Sequence, residues 1–417
     1  MACLSHRPAS RTFLNIVFPK QPIVGEIWTD HLERAVSLVG AKENFLFCGD
    51  IDPDSVGSMV SLALFLRLMD KQAAVILPNG LNENLNYLTS ILNHNSIRIL
   101  NTEDEIKKLG SKVDTVIICD TANAKLIPFY SIILEEFIEK SVQVIEIDHH
   151  FGADSNAVAK KGIKLFREAN ATTEIIGELL QGLARKFPET TDPFSQRNIL
   201  IGLITGLLGD TAGGKVIAFK QDFDYWMKQL GGRLAENTRW RKTKNGRPGD
   251  SKSSKFETPD KIREYLDCLT VQQEEYLAVL MKGIDRQDGL GFLNLMSSAY
   301  KKIETICQPN DSDWFADILG FLLNHVPEET GKVGVVCYQG KNAEGKDCVF
   351  IKLRRSIEYD GFDLRQVEDP IKRAFDGYYM GGGGHPGAAS FRVTSHDEKE
   401  FFLRFQPVAD FIKSSVK

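Results

Sequence analysis

The stretch Phe45–Met69, FLFCGDIDPDSVGSMVSLALFLRLM, changes character twice. Phe45 to Cys48 is apolar and reads as a strand, Asp50, Asp52 and Asp54 follow at every second position, and Ser55 to Met69 reads as a helix. A strand, an acidic turn and a helix make the opening unit of a parallel α/β sheet. Alternate side chains of extended backbone point the same way, so the three carboxylates crowd together. Crowded carboxylates repel one another unless cations neutralise them, and a pair of divalent metals is the simplest way to keep such a cluster.

The same pattern recurs downstream. Thr115 to Cys119 reads as a strand ending in Asp120-Thr121, and Val142 to Ile147 as one ending in Asp148-His149-His150. Ala73 to Leu77 supplies another strand, and the near-continuous apolar character of these runs suits strands covered on both faces. Thr172 to Lys186 and Gln196 to Leu208 read as helices on that sheet, the second delivering Asp210-Thr211. The fold class is therefore α/β, a parallel sheet with helices on both faces. Its acids and imidazoles gather at the edge where open α/β sheets bind ligands.

Beyond Asp210 the composition shifts. Arg233 to Lys261 is polar, basic and rich in Gly, Ser and Pro, and reads as a mobile insertion or long loop. Within it, Arg239-Trp240-Arg241-Lys242 suits capture of single-stranded nucleic acid or a plain solvated loop. A helical stretch runs to about Met281, so the first domain is read as 1–282 and 283–289 as a linker. Residues 290–417 look like a smaller α+β domain, with strands at Val333–Tyr338 and Cys348–Leu353, a helix over Asp363–Phe375 and a strand at Ala388–Val393. Before that last strand comes Gly381-Gly382-Gly383-Gly384-His385-Pro386-Gly387, a run whose backbone can approach a ligand closely and turn N–H groups towards an anion.

Composition sets the outer limits. The 417 residues suffice for two cores, and the net charge of −5 argues against a basic nucleic-acid coat protein while leaving room for a local basic groove. No apolar run approaches the roughly 20 residues of a membrane helix, and the N-terminus lacks the apolar core of a secretory signal. Seven cysteines lie scattered with no Cys-x-x-Cys pair, which fits a reducing compartment, and the cytoplasm is the expected location.

Asp50-x-Asp52-x-Asp54, Asp120-Thr121, Asp148-His149-His150, Asp210-Thr211 and the Gly-Gly-Gly-His of Gly382–His385 together resemble, in the same order, the DHH/DHHA1 phosphoesterases. That superfamily includes RecJ-type exonucleases, oligoribonucleases that also dephosphorylate pAp, and cyclic-dinucleotide phosphodiesterases. The resemblance runs from about residue 44 to 230 and from about 290 to 395. It implies an active site in the cleft between a DHH domain and a DHHA1 domain. Asp52 and Asp120 would hold one metal, and Asp54, Asp120, His149 and Asp210 the other, with Asp120 bridging. Carboxylate and imidazole ligands favour Mn²⁺, with Mg²⁺ the alternative. Two metals roughly 3.5–4 Å apart can share a nucleophile and stabilise a phosphoryl group in flight. Asp148 would orient His149, His150 would face the phosphate, and Gly382, Gly383, Gly384, His385, Arg355 and Ser356 would bind substrate, the arginine as a fork.

The chain departs from the family at Cys48, where many members have a His. Cys48 is either a buried strand residue or a soft ligand, with Asp50 as a compensating ligand or partner. The resulting expectation is a two-metal hydrolase of short oligonucleotides or small nucleotides such as pAp. Its partner would be short single-stranded nucleic acid or a nucleotide, with no membrane involved, and a homodimer is compatible with the sequence. The rivals are cyclic-dinucleotide hydrolysis, RecJ-like single-strand exonuclease action, and a degenerate nucleotide-binding module.

Overall fold

The computed structural model describes residues 20–78, 81, 83–140, 142–152, 155–244, 256–266, 271–296, 314–342, 345–356, 358–394 and 396–416. Its first sheet comprises β1 (Asn44–Gly49), β2 (Gln72–Ile76), β3 (Arg98–Leu100), β4 (Thr115–Cys119), β5 (Gln143–Asp148) and β6 (Ile163–Phe166). The order is β3-β2-β1-β4-β5-β6 and every pair is parallel. The strand order reverses between β1 and β4, and a crevice opens there at the carboxyl ends of the strands. The acidic loops that follow β1 and β4 flank that crevice.

Helices cover both faces, as the apolar strands require. One face packs Phe45, Phe47 and Ile117 against helices that include Gly25–Ala41, Pro53–Leu68, Thr172–Lys186 and Arg197–Asp210. The other face packs Leu46, Cys48, Val116 and Ile118 under the helix Tyr130–Glu136. The helix Pro53–Leu68 is buried all along from Asp54 to Leu66, as an element apolar on every side must be. Asp52 caps it by accepting a 2.8 Å bond from the Ser55 amide, and Pro53 occupies its first turn.

The second sheet comprises β7 (Ile284–Gln287), β8 (Leu290–Asn294), β9 (Val333–Lys341), β10 (Asp347–Arg355), β11 (Tyr379–His385) and β12 (Ala388–Thr394). Its order is β11-β12-β10-β9-β8-β7, antiparallel except for the β8–β9 pair. The core beneath it holds Val349, Ile351, Leu353, Phe391 and Val393 against the helix Glu398–Ser415.

Two expectations change. The 283–289 stretch is not a linker: β7 and β8 form a hairpin closed by Asp288-Gly289, both at positive φ (38° and 82°). The 233–261 stretch is not all loop, because the helix Lys220–Lys244 runs into it and a helix resumes at Pro259. Phe223, Trp226, Leu230 and Leu234 form that first helix's buried stripe. Residues 245–255, and the side chains of Arg239 to Lys242, lie outside the described residues. The glycine run, for which the sequence reading named no element, forms most of strand β11. Among the described residues no helix is long and apolar enough to cross a membrane.

Candidate metal centre

Three strand ends and one helix end deliver the acids and imidazoles to one place. Asp120 follows β4 in the left-handed region, at φ 49°, a conformation that costs a non-glycine residue on the order of 1 kcal/mol. Its amide donates to the Ile147 carbonyl at 2.9 Å, which ties the β4 end to the β5 end. His149 and His150 follow β5. Asp210 is the last residue of the helix Arg197–Asp210, where the macrodipole disfavours a carboxylate.

One nitrogen organises the centre. His149 Nδ1 donates to the Ala169 carbonyl at 3.1 Å, leaving the Nε2 lone pair facing three carboxylates. Asp210 Oδ2 lies 3.3 Å away, Asp120 Oδ1 3.4 Å and Asp54 Oδ2 3.9 Å. Asp54, His149 and Asp210 form one set able to hold a metal, and Asp120, His149 and His150 another. His149 Nε2 and Asp120 Oδ2 are both buried without a hydrogen-bond partner among the described residues. Orphaned buried acceptors are costly, and a metal ion would satisfy both. With only oxygen and imidazole donors, the residues fit Mn²⁺ or Mg²⁺.

Supporting groups fix the ligands. Asp54 accepts the Thr172 and Thr173 amides, at 2.5 and 3.0 Å, from the start of the helix Thr172–Lys186. Thr172 Oγ1 donates to Asp120 Oδ1 at 2.9 Å. Gly206 faces Asp54, and a Cβ there would meet its Oδ1 at 2.6 Å. Asp148 Oδ1 accepts the amides of His149 and His150 and the Nδ1 of His150, at 2.9, 3.2 and 2.9 Å. Lys20, fully buried, donates to Asp148 Oδ2 from the opposite side.

The electrostatics follow. Burial, then the charges of Asp50 and Asp54, pushes Asp52 up to about 8. Burial and Asp210 push Asp54 up to about 6, and burial with Asp54 and Asp52 lifts Asp120 well above the carboxylate range. These acids are ready to exchange protons for a metal. Burial also opposes the charge on Asp148, but Lys20 and His150 outweigh it and hold this carboxyl below the usual range. Burial disfavours the His150 imidazolium, yet Asp148 pushes it up to about 9.

The other expected residues scatter. Asp50 and Asp52 stand at the edge of the cluster and outside both ligand sets, Asp50 bonding its neighbour's amide and Asp52 capping its helix. Cys48 is fully buried in the apolar cluster on the far face of the sheet, its thiol pushed up by burial.

The second domain closes over this centre. Gly152, just past the histidines, pairs with Gly383 of β11, and a Cβ on Gly152 would meet the Gly383 Cα at 2.8 Å. His385 lies in the cleft, its Nδ1 accepting the Gly387 amide at 3.3 Å. Burial, with His149, Arg354 and His150 nearby, holds its pKa well below the ordinary value, so His385 is neutral with its proton on Nε2.

Arg355 corrects the expectation of a phosphate fork. Its guanidinium is buried and donates to the carbonyls of Asp360, Phe362 and Ile217, at 3.2, 3.2 and 3.1 Å. It clasps the first domain rather than facing an anion. Ser356 is buried too and donates to Glu328 at 3.2 Å. The cleft-side cation is Arg354, close enough to Asp210 and His385 for their charges to interact. Sequence reading misses Arg354, Lys20, Thr172, Thr173 and Gly206. Strand alternation is the available signal for Arg354.

Residues 44–207 match the DHH family, N-terminal domain. Among solved structures, an exopolyphosphatase-related protein from Bacteroides fragilis aligns over 95% of this chain and 100% of its own, at 16% identity and a TM-score of 0.58. RecJ in complex with Mn²⁺ from Thermus thermophilus aligns over 91% of this chain and 54% of its own, at 13% identity and a TM-score of 0.48. No curated protein matches the chain. The parallel sheet and the acids at its switch point agree with that family match: residues 44–207 are similar to the N-terminal domain of the DHH family.

Proposed function

We propose that this protein is a metal-dependent phosphoesterase that hydrolyses short oligonucleotides or small nucleotides such as pAp in the cleft between its two sheets. One observation carries the reading. His149 Nε2 and Asp120 Oδ2, buried and unpartnered among the described residues, face a knot of carboxylates beneath a second domain that brings His385 and Arg354 to the same cleft. Asp54, Asp120, His149 and Asp210 would hold one divalent ion. Asp120, with Asp52, would hold a second. When bound, such ions supply Lewis acidity and an activated water. The oxygen and imidazole donors suit Mn²⁺, with Mg²⁺ the alternative.

The chain's own groups have separable tasks. Asp148 fixes the His150 ring through Nδ1, which turns Nε2 towards the cleft, and a charged imidazole there stabilises a phosphoryl group gaining negative charge. Arg354 adds a second positive charge on the substrate side, and neutral His385 offers an N–H to a phosphate or sugar oxygen. Gly383 against Gly152 brings backbone close enough to shut water out of the cleft.

A Mn²⁺-supplemented panel of labelled di- to pentanucleotides, pAp, cyclic dinucleotides, longer single strands and pyrophosphate tests the proposal. Release of mononucleotides from short oligomers, or of phosphate from pAp, is the expected result. Turnover of cyclic dinucleotides alone, or of long strands alone, would favour those rivals. Binding without turnover in Mn²⁺ or Mg²⁺ would reduce the protein to a nucleotide-binding module.

A further inference from the structure

We propose that Lys20 is a positioning residue of the metal centre, an ammonium ion that locks the loops after β4 and β5 into their ligand-presenting geometry. The inference rests on the metal-centre reading above. Lys20 lies outside the 44–207 family match, in an arm ahead of the helix Gly25–Ala41. Its backbone amide donates to the Ser155 carbonyl at 3.0 Å, and the Ile23 amide to the Phe166 carbonyl at 2.7 Å, so the arm is laid down against the region around β6. Its side chain is wholly buried. A buried ammonium is expensive unless it is paired and hydrogen-bonded.

The partners give that burial a purpose. The Lys20 ammonium donates to the Thr121 carbonyl and to Asp148 Oδ2, with Glu146 Oε1 at 3.8 Å and the Phe166 ring centroid at 5.3 Å. Thr121 directly follows Asp120, the residue held at φ 49°. Asp148 directly precedes His149 and spends its other oxygen on the His149 and His150 amides and the His150 ring. A single cation therefore joins the peptide next to the central carboxylate to the carboxylate that sets both imidazoles. Glu146 is separately held by the Val158 amide, at 2.8 Å, and by Lys164. That leaves Asp148 and the Thr121 carbonyl as the two routes by which Lys20 acts.

A positioning role and a mere counter-charge have opposite signs. If Lys20 only offset the surrounding acids, its removal would make the site more negative and Mn²⁺ would bind more tightly. If it positions the ligands, removal weakens binding, as loss of partners that orient ligands does.

The experiment uses the full chain with Lys20→Met, Mn²⁺ titrated by calorimetry and the melting temperature of the metal-free protein recorded separately. Mn²⁺ affinity should fall at least about tenfold. In an Asp148→Asn background the same change should cost less than it does in the parent, because one of its two routes is already cut and only the Thr121 contact remains to be lost. Lys20→Arg, which keeps the charge and the donors, should restore part of the loss. Unchanged or tighter Mn²⁺ binding in Lys20→Met overturns the proposal. If that variant does not fold, Lys20→Arg decides: weakened Mn²⁺ binding at a near-parental melting temperature supports positioning, and parental affinity with a lowered melting temperature overturns it. A parent protein that binds no Mn²⁺ removes the metal-centre reading and this inference with it.

Discussion

The acidic loops of the first sheet and the cleft-facing strands of the second carry the same kind of sequence signal, with different outcomes. Asp120, Asp148, His149 and Asp210 stand at the ends of elements that are legible in the sequence, and a residue just past a strand has one place to go. Arg354 and Arg355 lie within a strand. There a one-residue difference decides between the cleft and the far side of the sheet. The motif points at Arg355, and the chain uses it to hold the two domains together. The place of a residue at a strand end is thus readable from sequence alone, whereas charged pairs inside strands need the register as well.

The sharpest test of the first half is Asp120→Ala. It removes the carboxylate on which both proposed ions depend, and turnover should drop at least about a thousandfold, some 4 kcal/mol of transition-state stabilisation. Mn²⁺ stoichiometry by calorimetry should fall in parallel. A folded variant with near-parental kinetics would break the comparison at its stronger side.

Proton linkage probes the same acids without mutation. Asp52 and Asp54 titrate near 8 and 6 in the metal-free protein, against about 3.9 when unfolded. The folded state therefore binds more protons, and stability falls as pH climbs from about 4 through about 8. Chelated protein should melt several degrees lower at pH 8 than at pH 5, and saturating Mn²⁺ should remove most of that slope. Flat melting temperatures across the range in scanning calorimetry would mean that burial and mutual repulsion act on these acids far less than their packing implies.

The arginine pair sharpens the second half. Arg354→Ala should raise KM or lower kcat/KM by roughly 10- to 100-fold, the loss of one charged contact to an anion, with the melting temperature barely moved. Arg355→Ala should do the reverse. Three carbonyls lose a buried donor, stability drops by about 2–3 kcal/mol, and kinetics at low temperature change little. An exchange of these two phenotypes would restore Arg355 as the phosphate fork.

Cys48→Val should change least. The residue fills an apolar cluster, so a swap of similar size should cost below about 1.5 kcal/mol and leave metal content intact. Half the parental Mn²⁺ content would instead make Cys48 a ligand.

What stays illegible in the sequence has physical causes. The end of Lys220–Lys244 reads as loop because its surface is densely charged, and the helix's buried stripe of four residues is too sparse to stand out. The β7–β8 hairpin hides behind polar Asp285 and Arg286, although Asp288-Gly289 is a strong turn signal. Lys20 is invisible because nothing local marks a lysine destined for a carboxylate 128 positions away. The apolar strands, the turn acids and the helix Thr172–Lys186 are legible because their causes lie within a few neighbouring residues.

The all-parallel order of the first sheet also governs when the centre comes into being. Parallel neighbours cannot form from adjacent chain, so β1 must wait for β2 and β4, and β4 for β5, before the crevice exists. The Thr172 and Thr173 amides and Asp210 arrive from still further along the chain. Helical signal should thus return early in refolding, with Mn²⁺ uptake among the last events, which makes the ion a reporter of completed topology.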